Sequence, residues 1–201
     1  MLLPALNQAR ERSRSIGCVN NQRQISLGLL AYTNDFDDIL FNQRNTVLWT
    51  SWLSKSLGYI NQKTLSCPSD PLRGTGLING VLGMYDYRGA TAAILGSVGN
   101  IVVYPESGNA FHKYYAFNKL KAPSNSILVA DSYGAGTQAG AFYFWPETYR
   151  ESPNDFALMR RHSNLANCLM FDGHVASLNK TKLAESPSHV IRSYDKSGTK
   201  E

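Results

Sequence analysis

The N-terminal part of the chain carries apolar residues at spacings that predict one long helix. From Pro4 to about residue 33 there are many good helix formers and no second proline, and a proline is tolerated in a first helical turn. Residues 7–15 are mostly polar, whereas 16–32 are rich in large apolar side chains. The pattern predicts a helix whose second half is buried on several sides while its first half projects. The residues predicted to form the helix core are Ile16, Val19, Ile25, Leu27, Leu29 and Leu30.

Shorter elements are predicted beyond this helix. Asn and Asp residues within 34–38 favour the end of the helix and a turn. Residues 47–58 predict a short second helix with its tryptophans on one side, and 76–118 predict short strands and turns. Two apolar runs bounded by turn residues, 124–132 and 141–146, predict further strands.

The stretch RHSNLANCLMFDGHVASL, residues 161–178, predicts a β-hairpin. An Asp-Gly pair between two apolar runs is a strong signal for a two-residue hairpin loop, here Asp172-Gly173. That loop pairs Met170 with Val175, and both faces of the hairpin are then largely apolar. The hairpin is therefore predicted to be central, covered on both sides and packed against the buried half of the helix.

The length and composition suit one domain of the α+β class. The chain has 201 residues, of which 43% are hydrophobic. We expect the single domain 1–201 to comprise an N-terminal helix (1–34), a variable helix, loop and strand region (35–118), a C-terminal antiparallel sheet (119–180) and a polar tail that frays (181–201). The residues expected to carry this architecture outside the helix core are Leu3, Leu6, Leu169, Phe171 and Val175.

Charge and hydropathy exclude some partners. The formal net charge is +5, but the basic residues are scattered, whereas a nucleic-acid surface needs a concentrated basic footprint. No stretch approaches the ~20 apolar residues that span a bilayer. The opening MLLPAL resembles the trailing end of a longer apolar segment, so we hypothesise a membrane helix or export signal ahead of it.

Three ligand-type residues cluster near the hairpin loop. His162, Asp172 and His174 offer two nitrogens and one oxygen, which would suit an open catalytic zinc site. No fourth ligand and no HExxH spacing accompany them, and an Asp in such a loop is explained by its tolerance of positive φ. A nucleophilic pair of Cys168 with a histidine is disfavoured because Cys168 lies in an apolar run, where a thiolate is unfavourable. We therefore predict no catalytic residue, no metal ligand and no cofactor.

Four carboxylates leave alternatives open. Asp35, Asp37 and Asp38 have oxygen ligands for calcium, but they lack the glycine and glutamate of an EF-hand loop, which favours a solvated helix end. Asp131 ends a buried strand, where a carboxylate is either catalytic or caps the next turn. No nucleophile or base accompanies it in sequence, so we predict the cap.

The cysteines also leave two interpretations. None of Cys18, Cys67 and Cys168 lies in a CxxC pair, which disfavours a structural zinc site. In an exported protein Cys18 and Cys67 would form a disulfide, with Cys168 as a small buried apolar residue. In a cytosolic protein all three would be thiols.

Several segments together resemble one protein family. LLPALNQARERSRSIGCVNNQRQISLGLLAYTNDFDD is similar to the segment after the membrane stretch in proteins with a prepilin-type N-terminal cleavage/methylation domain. CPSDP, LKAPSNSILVADS and RHSNLANCLMFDGHV resemble later parts of type II secretion protein G-like pseudopilins and type IV pilin-like proteins, including those of the Planctomycetes–Lentisphaerae kind. The chain lacks the family's processing site and apolar run, and residues 70–118 match nothing in it.

This resemblance implies a pilin-like fold and a non-enzymatic structural role. The expected function is a subunit of a type II secretion pseudopilus or type IV pilus-like filament, in which subunits associate through their N-terminal helices. The implied partners are other pilin-like subunits, the secretion machinery and the inner membrane. Export to the periplasm or cell surface is implied as well, which favours the Cys18–Cys67 disulfide.

Two other functions remain as alternatives. The first is a cell-surface binding module for carbohydrate or a secreted protein, which exposed aromatic residues at Trp49, Trp52 or within 84–115 would favour. The second is a metal-dependent hydrolase that uses His162, Asp172 and His174.

Overall fold

One unbroken α-helix forms the N-terminal part of the protein. The computed structural model describes residues 3–44, 46–73, 76–87, 90–103, 112–145 and 155–201. Helix α1 spans Leu3–Asp35, 33 residues, and ends where Asp37 and Asp38 adopt positive φ angles, which Asp tolerates. Across the described ranges, no helix combines the length and the apolar character that crossing a bilayer requires. The α+β class with a long N-terminal helix is confirmed.

Half of the predicted helix core is wrong. Ile25 and Leu29 are buried and Val19 is half-buried, but Ile16, Leu27 and Leu30 are 58%, 70% and 39% exposed. At about 100° per residue these three lie within roughly 60° of one another around the axis, opposite the buried side chains. The body of the protein covers only one side of α1. The apolar residues on the opposite side therefore stay exposed, although the sequence pattern predicts that they are buried. We call Ile16, Leu27 and Leu30 the outer face of α1.

The strands of the described residues form three sheets rather than the single antiparallel sheet that the sequence predicts. Their bounds are β1 Ile39–Arg44, β2 Val47–Leu48, β3 Gly83–Tyr85, β4 Val102–Val103, β5 His112–Ala116, β6 Ile127–Ala130, β7 Ser132–Gly134, β8 Tyr143–Phe144, β9 Phe156–Met159, β10 Ala166–Met170, β11 Val175–Leu178 and β12 Ser193–Tyr194. The first sheet has the order β2-β1-β5-β4, the second β11-β10-β6-β3-β8, and the third β12-β9-β7.

Most strand pairs are antiparallel, but β3 pairs with β8, and β9 with β12, in parallel. The predicted strands 124–132 and 141–146 correspond to β6 and β8, although residue 146 lies outside the described residues. Short helices connect the strands: α2 Trp49–Ser51, a π-helix Trp52–Ser56, 3₁₀ turns Gln62–Leu65 and Phe117–Lys119, α3 Ala92–Val98 and α4 Lys180–Glu185.

Helix α1 packs its buried side on β10 of the second sheet and on the loop around residues 59–65. The contact with that loop is close because Gly28 has no side chain: a Cβ there would lie 2.5 Å from the carbonyl oxygen of Tyr59. The main core continues beneath the helix through the second sheet, with Met84, Ile127 and Leu169 fully buried. Trp49 is also buried in this core, so it offers no recognition surface.

The hairpin is present, with a register one residue from the predicted one. Leu169 pairs with Val175 because the loop has three residues: the Met170 amide donates to the His174 carbonyl, and Gly173 has a φ of 94°. Three-residue hairpin loops place a glycine in this left-handed position. Strand β10 is buried throughout, but β11 is a partly exposed edge strand, so the prediction of cover on both sides holds for β10 alone.

Substituting Gly173 with alanine should lower the free energy of unfolding by about 1–3 kcal/mol. Its positive φ disfavours a side chain, and a Cβ would lie 2.7 Å from the Ser26 hydroxyl on α1. Gly96→Ala is the control, because no heavy atom lies within 4 Å of its added Cβ and the site is inside α3. That change should be stabilising by roughly 0.5–1 kcal/mol. Urea unfolding of both variants measures the difference, and equal effects would contradict the packing of the loop on α1.

The C-terminal segment does not fray as predicted. Strand β12 pairs with β9, and Val190, Arg192 and Tyr194 are buried. Arg192 forms a buried ion pair with Asp155, which gives a polar segment an ordered position. The polar composition of this segment predicts that it frays. A buried ion pair between one of its polar side chains and the rest of the protein holds it in place instead.

Candidate functional site

Four ligand-type side chains meet beneath α1. The ligand atoms of Cys18, Cys67, Asp131 and His162 all lie within 4.8 Å of one another, and all four residues are buried. We call this group the Cys2AspHis cluster. Among the residues that the structure describes, no other group of three or more His, Cys, Asp or Glu side chains is so arranged.

Each member comes from a different element. Cys18 is the first buried residue along α1. Cys67 follows the 3₁₀ turn that packs on the helix, and Asp131 lies between β6 and β7. His162 begins a tight turn to Leu165, whose two central residues both have positive φ and whose ends exchange backbone hydrogen bonds. The fold thus joins the helix, a loop and two sheets at one point.

The contacts inside the cluster are short. Cys67 Sγ lies 3.2 Å from Nε2 of His162, and Cys18 Sγ donates to Oδ1 of Asp131 across 3.4 Å. Nε2 of His162 lies 3.5 Å from the other carboxylate oxygen, Oδ2 of Asp131. Two sulfurs, one nitrogen and one carboxylate therefore lie side by side in one buried group.

A second set of groups orients these four side chains. Nδ1 of His162 lies 3.1 Å from Oε1 of Glu11, which is about two turns earlier on α1 than Cys18. The amide of Ser69 donates to Cys67 Sγ across 3.4 Å. The amide of Asn167 donates to Asp131 across 3.3 Å, and the side chain of Asn167 reaches Ser15 on α1.

The two thiols sit in different electrostatic surroundings. The hydrogen bond to Cys67, then burial and the nearby Asp131 carboxylate, raise the pKa of Cys18 well above its ordinary value. Burial also acts to raise the pKa of Cys67, but the hydrogen bonds from Cys18 and His162 outweigh it and lower that pKa. Burial acts to lower the pKa of His162, but contacts with Cys67, Asp131 and Glu11 outweigh it and raise the pKa to about 9. The contacts of Cys67 thus favour its thiolate form, and the contacts of His162 favour its protonated form.

Three kinds of chemistry suit these groups: nucleophilic attack by Cys67, oxidation of the two thiols to a disulfide, and metal binding. A sulfur nucleophile must be reached by its substrate, and Cys67 is only 3% exposed. An open groove of about 880 Å³ runs along the first half of α1 and reaches the outer side of the cluster at Glu11 and His162. This groove admits a small ion more readily than a substrate that must touch the sulfur.

The residues of the predicted hairpin site do not form one site. His162 is buried in the Cys2AspHis cluster, whereas Asp172 and His174 pair with each other at the surface, 2.7 Å apart. Asp172 also accepts from the His174 amide, so it stabilises its own loop. The hydrolase alternative, which needed these three side chains together, loses its geometric basis.

The structure also places the cysteines and the remaining carboxylates for which the sequence predicts a role. Cys18 and Cys67, the predicted disulfide partners, are brought together but are both free thiols in this structure. The prediction that Asp131 caps a turn is wrong, because its carboxylate faces the cluster. Cys168 is buried in β10 and its pKa is raised by burial. Asp35 accepts a hydrogen bond from Tyr59 across 2.6 Å at the helix end.

The aromatic residues within 84–115 do not supply the expected binding surface where the structure describes them. Tyr85, Tyr87 and Tyr115 are fully buried, and the hydroxyl of Tyr115 donates to the Tyr85 carbonyl across 2.7 Å. Residues 104–111 lie outside the described residues. The described part of this region thus gives no support to the carbohydrate-binding alternative.

Comparison with family models, with curated proteins and with solved structures gave no match to this chain.

Proposed function

We propose that the chain is a structural subunit of a pilin-like filament, of the type II secretion pseudopilus or type IV pilus kind. In this proposal it is not an enzyme, and it associates with other subunits through α1. The resemblance of its sequence segments to prepilin-like proteins motivates the family. The outer face of α1 is the observation that carries the assembly role.

That outer face is unusual for a surface helix of a globular protein. A helix packed on one side normally keeps charged and polar residues on its solvent side. Here Ile16, Leu27 and the partly exposed Leu30 lie on the solvent side beside the exposed Arg12 and Arg23, while Cys18, Ile25 and Leu29 pack on the protein. A helix with apolar residues on both sides suits a subunit that packs on its own body and on a neighbouring helix.

The first half of α1 supports the same role. Between Leu3 and Gly17 no residue is buried, and Leu3 and Leu6 are 74% and 55% exposed. At 1.5 Å per residue this part extends roughly 22 Å as a helix. Its backbone continues without a break into the buried half, so a force on the exposed half is transmitted to the body. We place the protein outside the cytoplasm, tethered to the inner membrane and working with the secretion machinery, as the resemblance implies.

Replacing Leu27 with glutamate should reduce filament assembly about tenfold or more, because it puts a charge into a helix–helix contact. The measurement is the amount of protein in the filament fraction sheared from host cells that express the complete gene. Ile78→Glu is the matched control, since Ile78 is an exposed isoleucine far from the helix in sequence, 54% exposed.

Unfolding curves of the purified 201-residue chain should be the same for both variants, which separates assembly from stability. The proposal fails if wild-type protein never enters a sheared or cross-linked polymer. It also fails if Leu27→Glu and Ile78→Glu assemble equally well.

A further inference from the structure

We propose that Cys18, Cys67, Asp131 and His162 bind one zinc ion, which fastens α1 to the body of the protein. The proposal goes beyond the filament role and does not depend on it. It rests on the identity of the four ligands, on the distances between their atoms and on the groups that orient them.

The ligand set is one that zinc prefers. Zinc in structural sites is tetrahedral and is held by four protein ligands drawn from cysteine sulfur, histidine nitrogen and carboxylate oxygen. Two sulfurs, one imidazole and one carboxylate supply that number, so no position is left for a substrate. Calcium and magnesium take oxygen ligands and are disfavoured by the two sulfurs. The site is therefore a structural rather than a catalytic one.

The shortest separations are close to those of a zinc tetrahedron. Zinc lies about 2.3 Å from sulfur and about 2.0–2.1 Å from nitrogen or oxygen, so neighbouring ligand atoms should be roughly 3.3–3.8 Å apart. Cys67 Sγ lies 3.2 Å from His162 Nε2, and the two oxygens of Asp131 lie 3.4 Å from Cys18 Sγ (Oδ1) and 3.5 Å from His162 Nε2 (Oδ2). All four ligand atoms lie within 4.8 Å of one another, so side-chain shifts of up to about 1 Å would complete the coordination.

The hydrogen-bond partners of the four ligands also support a metal site. A histidine that binds metal usually holds a carboxylate through its other ring nitrogen, and Nδ1 of His162 lies 3.1 Å from Glu11. A metal-bound thiolate accepts hydrogen bonds, and Cys67 accepts one from the Ser69 amide while Cys18 lies within reach of Gln22. A disulfide between the two cysteines would not need the hydrogen bonds to their sulfurs or the pairing of His162 with Glu11.

A metal at this site would connect four separate segments of the chain. Cys18 is the first buried residue of α1, so a metal there would fix the helix near the N-terminal end of its buried part. Cys67 holds the loop after the 3₁₀ turn, and Asp131 and His162 hold the two sheets. Binding zinc would couple these four segments and set the direction in which the exposed half of α1 projects.

The first experiment is metal analysis of the whole chain. Protein purified under reducing conditions and given Zn²⁺ should retain one zinc per chain after desalting, and chelation should lower its melting temperature. Co²⁺ in place of zinc should give the visible absorption of tetrahedral cobalt with thiolate ligands. Absence of stoichiometric metal in folded, reduced protein would overturn the proposal, as would a Cys18–Cys67 disulfide detected by alkylation and mass spectrometry of protein isolated from its own compartment.

Matched variants assign the ligands. His162→Ala should lose the zinc, whereas His174→Ala, which removes the surface histidine, should keep it. Likewise Cys67→Ser should lose the thiolate-to-cobalt absorption that Cys168→Ser retains. Glu11→Gln keeps all four ligands and should weaken zinc binding roughly 10–100-fold through loss of orientation of His162. If the ligand variants do not fold, Glu11→Gln decides: an unchanged affinity overturns the assignment.

Discussion

Asp70→Ala should lower the free energy of unfolding by about 3–5 kcal/mol, because it breaks a buried ion pair and leaves a buried guanidinium without its carboxylate. Oδ2 of Asp70 lies 2.9 Å from Nη2 of Arg161, and both side chains are almost completely buried. The same carboxylate accepts from the amides of Leu72 and Gly140. In a chain of this length the loss corresponds to a fall in melting temperature of roughly 6–20 °C.

The chain supplies a close control for this substitution. Asp172 also accepts from the amide two residues further on, and it also pairs with a basic side chain, His174, but both partners are exposed. Asp172→Ala should therefore change stability by less than about 1 kcal/mol. Urea unfolding in the presence of a chelator, which removes any contribution of bound metal, compares the two. Similar losses in both variants would show that burial is not what gives the Asp70–Arg161 pair its importance.

The sequence predicted the elements whose signals are local. The long helix follows from its composition and from the absence of proline after Pro4, and its end follows from the Asp residues that adopt positive φ. The hairpin follows from the Asp-Gly pair. Its register differs by one residue because Asp-Gly also suits a three-residue loop with Gly173 in the left-handed position.

The arrangement of the strands was not predictable in the same way. Strands such as Gly83–Tyr85 and Tyr143–Phe144 are only a few residues long, and their parallel pairing joins segments far apart in the chain. No periodic pattern builds up over so few residues. The division into three sheets therefore depends on long-range contacts that the local sequence does not encode visibly.

The Cys2AspHis cluster escaped prediction for a related reason. Known zinc motifs are recognised by ligands a few residues apart, whereas 113 residues separate Cys18 from Asp131 and 95 separate Cys67 from His162. One signal was present: Asp131 ends a fully buried strand, where an ionised carboxylate needs a partner. A cap on an exposed turn does not meet that requirement. His162 is near Asp172 and His174 in sequence, but the tight turn at 162–165 directs it into the cluster, whereas the other two lie at the hairpin loop.

Two leucines of α1 test whether one side of the helix stabilises the fold while the other side is free. Leu29 is 1% exposed and Leu27 is 70% exposed, although they are only two residues apart. Leu29→Ala should lower the free energy of unfolding by about 2–5 kcal/mol, because it removes core contacts and leaves a cavity. Leu27→Ala should change it by no more than about 0.5 kcal/mol, since it alters only the solvent side.

The two substitutions are chemically identical, so the comparison isolates position. A lower urea midpoint with an unchanged slope is the expected result for Leu29→Ala, and an unchanged curve for Leu27→Ala. A large loss of monomer stability for Leu27→Ala would mean that Leu27 packs on the body, and the outer face would then no longer be free for a neighbouring subunit. An unchanged curve for Leu27→Ala would show that the outer face does not contribute to folding, and it would leave that face available to the neighbouring subunit that the proposed filament requires.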